Sequence, residues 1–360
     1  MGLSARIALF PVAGPFHTRW PRYNVVHVRD SVRAFAPHVV ALTPLYPGEL
    51  TRPGWQDTAE LPLPHTVVPW ATNQGIPVVE VGLAPDDPQD PGLGGAAEDL
   101  KRYLELYEDG QARLRRVEAA LAPVRQLLSE PLDLDRVVDE LVPAIERQQA
   151  LQTEELGTGP GDDWREARAA VIASRSLTAV RTASAAVSGS DTLRLAIVAE
   201  VDRLPALRRA LTGPAAAASG VSVEIVPAPP AGAGEEGRVR ALLDAAMSGI
   251  GQPESLLRSL AAIEEPEARY HEANLLLEHG HPAEALERLE KLVGGDFQEP
   301  YYLPGFALAR LGQLRDLAAR REDAVRSYRG VMALSYAPKA AREAAEAGLS
   351  APFTLEDEGS

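Results

Sequence analysis

The sequence predicts an α/β fold with a mostly parallel sheet and a helical insertion, followed by an all-α helical domain. Three observations predict it. Short Val- and Leu-rich runs with no polar alternation recur between helical segments, as buried parallel strands do. A long stretch of helical periodicity interrupts them. Beyond a Pro- and Gly-rich linker, the remaining chain is helical throughout.

In chain order, RIALFPVA (6–13) is the first strand, VVHVRDSVRAFA (25–36) a helix stopped by Pro37, and HVVALTPL (38–45) the second strand. HTVVPWATNQG is either a short strand or a helix, and IPVVEVGL (76–83) is the third strand. The Asp-, Pro- and Gly-rich DDPQDPGLGG (86–95) is punctuation. Helices are then expected over 97–130, over 134–156 with a kink at Pro143, and over 162–187 with Asp162 or Asp163 as N-cap. TLRLAIVAEV (192–201), RLPALRRALTG (203–213) and VSVEIVPA (221–228) form one more strand, helix and strand. The expected organisation is an α/β domain at 1–228 with its insertion at about 97–187, the linker PPAGAGEEG (229–237), a helical domain at 238–350 and an acidic tail at 351–360.

Composition excludes several classes. The net charge of −15 disfavours nucleic acid as a partner. The absence of Cys removes disulfides, thiolate chemistry and Cys-ligated zinc. No apolar run is long enough to cross a membrane, and the start of the chain does not read as a signal peptide, so a cytoplasmic protein without membrane contact is expected. There is no Walker P-loop and no G-x-S-x-G elbow; Gly92-Leu93-Gly94-Gly95 follows a linker rather than a strand, and Ser188 to Asp191 reads as a turn. His279 and His281 flank Gly280 at an inter-helix turn, and Trp20, Tyr23, Trp55 and Trp70 read as core and loop anchors.

In the C-terminal part, Ala273, Gly280, Ala285 and Leu289 of one segment align with Leu311, Gly312, Ala324 and Tyr328 of another. This pattern resembles the tetratricopeptide repeat, in which small residues sit where paired helices cross. The step from Ala285 to Ala324 is 39 residues, against the family's ~34. The resemblance implies a concave surface that binds a protein or peptide partner, or that packs on the chain's own first domain.

The N-terminal domain carries Gly14 to His17 after its first strand, Pro37 to Leu42 into the second, Gly75 to Val79 into the third, and an Arg-rich helix from Arg165 to Arg175. In that order these features resemble the superfamily of TraB, Tiki and erythromycin-esterase-like proteins. The resemblance implies a His and carboxylates at strand ends around a metal or an activated water. The sequence departs from the pattern: Ala41-Leu42-Thr43-Pro44 and Gly82 stand where a Glu is expected, and Glu200-Val201-Asp202 where a His is expected. The first expectation is therefore a partner-binding or scaffold protein whose hydrolase-like domain has lost its chemistry, with no cofactor. The alternative is a metal-dependent hydrolase of a peptide or ester, with His17 and Glu80 as catalytic residues and His17, Glu80, Glu200 and Asp202 as ligands for Mn²⁺, Mg²⁺ or Zn²⁺.

Overall fold

The computed structural model describes residues 3–355 except 58, 85, 86, 91–104, 107, 157–159, 185–191, 231, 233 and 296. The start of the insertion at 97, most of the DDPQDPGLGG punctuation, the Ser188–Asp191 turn and the end of the acidic tail lie outside the described residues. The chain divides into two compact units: residues 1–51 with 59–237, and residues 52–58 with 238–360.

Among the described residues of the first unit, five strands form one wholly parallel sheet of order β3-β2-β4-β1-β5. They are β1 (Leu3–Val12), β2 (Val39–Leu42), β3 (Val78–Glu80), β4 (Thr192–Glu200) and β5 (Val221–Val226). Central β1 pairs with β4 from Ser4 opposite Thr192 to Val12 opposite Glu200, and with β5 on its other side. Both faces of β1 and β4 are buried, which is why these strands read as unbroken apolar runs.

Helix α1 (Val25–Phe35) links β1 to β2 and packs Phe35 edge-on against Phe10 of β1. Its N-terminus is capped by Asn24, whose Oδ1 accepts from the backbone N–H of Val26 and His27. Helix α2 (Val68–Asn73) leads to β3. HTVVPWATNQG is thus helical, and its first turn, Leu63–Val67, is a π turn. Helices α3 (Glu108–Ala120), α4 (Ala122–Ser129), α5 (Val142–Leu156) and α6 (Pro160–Ser184) fill the insertion between β3 and β4. A second π turn, Val137–Leu141, precedes Pro143. Each π turn lies two residues before a proline, Pro69 or Pro143; the wider turn makes room for a ring that clashes with a normal helical carbonyl. Helix α6 starts at Pro160, so Asp162 and Asp163 lie inside its first turn rather than at the N-cap.

Helices α7 (Leu204–Thr212) and α8 (Pro214–Ala218) connect β4 to β5. Ile172, Leu177 and Val180 of α6 and Leu207 and Leu211 of α7 cover the sheet face made by Ile7, Val39, Leu195 and Ile197. The chain leaves β1 toward β2 and leaves β4 toward β5, in opposite directions. The carboxyl ends of these neighbouring strands are therefore the switch point at which open α/β sheets hold ligands.

The second unit is helical: α9 (Glu235–Met247), α10 (Pro253–Ala261), α11 (Pro266–Glu278), α12 (Pro282–Val293), α13 (Leu303–Leu317), α14 (Arg321–Ala333) and α15 (Lys339–Ser350). The first turn of α9, through Gly237, groups with the first unit. Successive helices from α11 to α15 pack on one another as a helical-repeat-like array. Ala273, Ala285, Leu289 and Ala307 form one seam, and Ala309, Ala324, Tyr328 and Ala341 the next. At the second seam the Tyr328 ring lies between two helical glycines, Gly312 and Gly348, at both of which a Cβ would overlap the ring. Segment 52–58 is a feature the sequence reading placed in the first domain; here it belongs to the helical unit, and Trp55 goes with it, away from Trp20 and Tyr23.

Candidate functional site

The four residues expected at a metal do not share one role. His17 sits in a 3-10 turn, Gly14–Thr18, directly after β1, and is fully buried. Its Nδ1 lies 2.7 Å from the Tyr23 carbonyl oxygen, and its Nε2 accepts from the Ala13 N–H at 3.1 Å. The arrangement requires the neutral ring with its proton on Nδ1. Both nitrogens are spent on backbone, so none is left for a metal. The ring is also flanked by Trp20 and Tyr23, at centroid distances of 5.4 and 5.3 Å. Burial depresses the imidazole to a pKa of about 4, against an opposing hydrogen bond to Tyr23. His17 holds the chain reversal after β1 and is not a ligand in this geometry.

Glu80 ends β3, and its carboxylate is likewise committed to backbone. Oε2 accepts from the Gly48 N–H at 2.8 Å, and Oε1 accepts from the Leu50 N–H. It fastens the loop after β2. Gly82, where the family pattern has Glu, lies so close to the Thr43 and Leu45 carbonyls that a Cβ would strike them.

Glu200 and Asp202 are the two predicted residues that the fold brings to one place, just beyond β4. Glu200 accepts from the Thr43 hydroxyl at 2.6 Å and pairs with Arg203 at 2.8 Å. Asp202 is not an N-cap: α7 has no side-chain cap. It lines a cleft of ≈ 130 Å³ with Thr43, Trp164, Arg165, Arg168 and Arg203. There Arg168 lies over the Trp164 ring at 4.8 Å, and Asp90 accepts from both residues.

The sequence reading missed Glu60. It comes from the Pro-rich loop before α2, where no spacing or motif marks it. Its carboxyl accepts from the backbone of Gly14, a residue at φ +54 whose missing Cβ would come within 3.3 Å of Oε2. Burial raises the proton affinity of Glu60, the nearby carboxylates of Glu200 and Asp202 raise it further, and Gly14 and Arg203 oppose the rise. Oε2 is buried with no hydrogen-bond partner. A carboxyl that holds its proton beside carboxylates is the arrangement of a general acid and base. Among the described residues, no group of three or more His, Asp or Glu side chains is placed to hold a metal ion.

A second titratable cluster lies in the helical unit. Arg240 of α9 donates to Asp244 at 2.8 Å and, through both terminal nitrogens, to Glu267 of α11 at 2.8 and 3.0 Å. The Tyr302 hydroxyl also donates to Glu267, and His271 Nε2 lies 3.3 Å from it. One guanidinium thus serves two buried carboxyls, and Glu267 takes the better share. Burial, only partly offset by Arg240, raises Asp244 to about 7, and its Oδ2 is left unpartnered.

The two units should respond to acid with opposite signs. A carboxyl raised in the folded state contributes stability that is present below its unfolded value and lost as pH rises through the folded one. Asp244 therefore stabilises the helical unit as pH falls from about 7 toward 3.8. A depressed imidazole works the other way, so His17 destabilises the α/β unit as pH falls from 6.5 to about 4. Each effect amounts to about 2 kcal/mol between pH 7 and 5. Hydrogen exchange resolved by segment should show the sheet losing protection and helices α9 and α11 gaining it; movement of both in the same direction would contradict the assignment. Comparisons with protein-family models, with curated proteins and with solved structures each return no match to this chain.

Proposed function

We propose that the chain is a partner-binding protein. In this reading the helical unit is a tetratricopeptide-like array that takes a protein or peptide partner, and the α/β unit is a TraB/Tiki-like domain whose strand-end metal chemistry has been lost. The observation that carries the reading is His17. The one residue whose type and position most suggest a ligand spends both ring nitrogens on the backbone of its own turn. Glu80 is tied to backbone in the same way. The Tyr328 ring between Gly312 and Gly348 supports the repeat resemblance, because that family also seats large side chains against small ones where helices cross.

Calorimetric titration of Mn²⁺, Zn²⁺ and Mg²⁺ into the full chain tests the reading. No stoichiometric binding is expected in wild type or in His17→Gln. Binding in wild type that His17→Gln or Glu80→Gln removes would overturn it in favour of the metal-dependent hydrolase.

A second reading, hydrolysis of a peptide or ester, is favoured by Glu60. Its raised proton affinity beside Glu200 and Asp202, next to an open cleft, supports acid–base chemistry that does not need His17. Hydrolysis of a test ester, lost in Glu60→Gln while the fold is kept, is the result this reading requires.

A further inference from the structure

Helix α15 begins without a cap of its own. Pro338 at its N-cap position offers no side-chain acceptor, and its first turn contains no acidic residue. Lys339 and Arg342 stand there instead, so free backbone N–H groups and basic side chains leave this end of the helix positive. The anion comes from far away in sequence. Asp57 Oδ1 accepts from the Tyr336 hydroxyl at 3.0 Å and from the Lys339 N–H at 3.4 Å, a bond that spans 282 residues. Beside it the Tyr301 and Tyr336 rings lie 5.4 Å apart, and Asp57 and burial together raise the Tyr336 hydroxyl well above the usual range.

The segment bearing Asp57 is lightly seated. Arg52, Pro53 and Asp57 are exposed, while Gly54, Trp55 and Gln56 are half-buried. The side-chain oxygen of Gln56 is buried without a hydrogen-bond partner, which a permanent, optimised contact does not leave. Gly48 at φ +89 and Gly54 at φ +77 supply the turns that carry the segment in.

We propose that this face of the helical unit, made by Tyr301, Tyr336 and the N-terminus of α15, is a docking site for an acidic peptide segment of a partner protein, and that residues 52–57 occupy it as an internal stand-in. The partner segment carries an aromatic residue and, two positions later, a carboxylate, as in Trp55-Gln56-Asp57. The carboxylate caps α15 and accepts from Tyr336. A second copy of this chain is a poorer occupant, because two molecules of charge −15 repel. The proposal rests on the partner-binding reading and gives its partner a chemistry.

The test uses the full chain and a fluorescein-labelled, C-terminally amidated peptide of residues 49–57, ELTRPGWQD, read by anisotropy. A charge-assisted hydrogen bond is worth enough to change affinity about tenfold or more. Asp57→Asn in the chain, which weakens the internal occupant, should tighten peptide binding about tenfold over wild type. Adding Tyr336→Phe should reverse that gain, and a peptide ending in Asn should bind about tenfold more weakly than the Asp peptide. Equal affinity for the Asp and Asn peptides, or no binding to any variant, would overturn the proposal. So would concentration-dependent dimerisation of Asp57→Asn, which would make a second copy the occupant. Failure here with a silent metal titration leaves the partner-binding reading standing; His17-dependent metal binding removes that reading by itself.

Discussion

Arg240→Met should destabilise the helical unit by about 3–5 kcal/mol, the cost of breaking a buried ion pair from one side. Methionine keeps much of the length and apolar stem of arginine, so the loss comes from charge rather than from a cavity. Glu267 is 3% exposed and would keep only Tyr302 and His271 as partners. Asp244, also 3% exposed, would lose its one hydrogen-bond donor. Because the remaining penalty is an unpaired carboxylate, Arg240→Met combined with Glu267→Gln should recover a large part of the loss. Urea unfolding followed by hydrogen exchange in α9 and α11 measures both. A single-mutant cost below about 1 kcal/mol would mean that water screens the cluster as it does surface pairs.

Gly312→Ala should also weaken the helical unit, even though alanine is the better helix former by about 1 kcal/mol. A Cβ at this position overlaps the Tyr328 ring, and the ring has nowhere to retreat, because Gly348 closes its other face. The hydroxyl is anchored too, donating to Asp316 at 2.9 Å, and Asp316 is held by Arg321 and by the Phe353 N–H. Overpacking a core of this kind costs about 1–3 kcal/mol or more, so a net loss of about 2 kcal/mol is expected after the propensity gain. Tyr328→Leu should relieve the clash, making the double variant more stable than the sum of the single effects predicts. A neutral Gly312→Ala would show that the two helices separate freely at this crossing.

The elements were legible in the sequence wherever burial was two-sided. β1 and β4 stand out because no position along them has to meet water, and α1 because Asn24 and Pro37 mark its ends. The order of strands was less accessible, since nothing in RIALFPVA says that TLRLAIVAEV will come to lie beside it, between β1 and β2. The site was legible only in part. Strand-end logic located Glu200 and Asp202. It placed His17 and Glu80 correctly along the chain but could not foresee that the Tyr23 carbonyl and the Ala13, Gly48 and Leu50 amides would claim them. Glu60 and Asp57 share one loop, and each gains its meaning from a group distant in sequence, Gly14 or Tyr336. Local pattern carries no trace of such pairings.

The position of β1 in the sheet sets the order in which the protein can be made. β1 is among the first residues synthesised, yet both of its neighbours, β4 and β5, emerge some 190 residues later, as the Ser4–Thr192 contact illustrates with its separation of 188. A nascent chain must therefore carry an apolar strand with two open edges past the whole helical insertion before the sheet can close. The array from α11 to α15 closes through neighbours in sequence and needs no such wait. On the ribosome the first-made unit thus depends on the latest-made strands. A translational pause before residue 226 would leave β1 exposed to chaperones, whereas one after it would not.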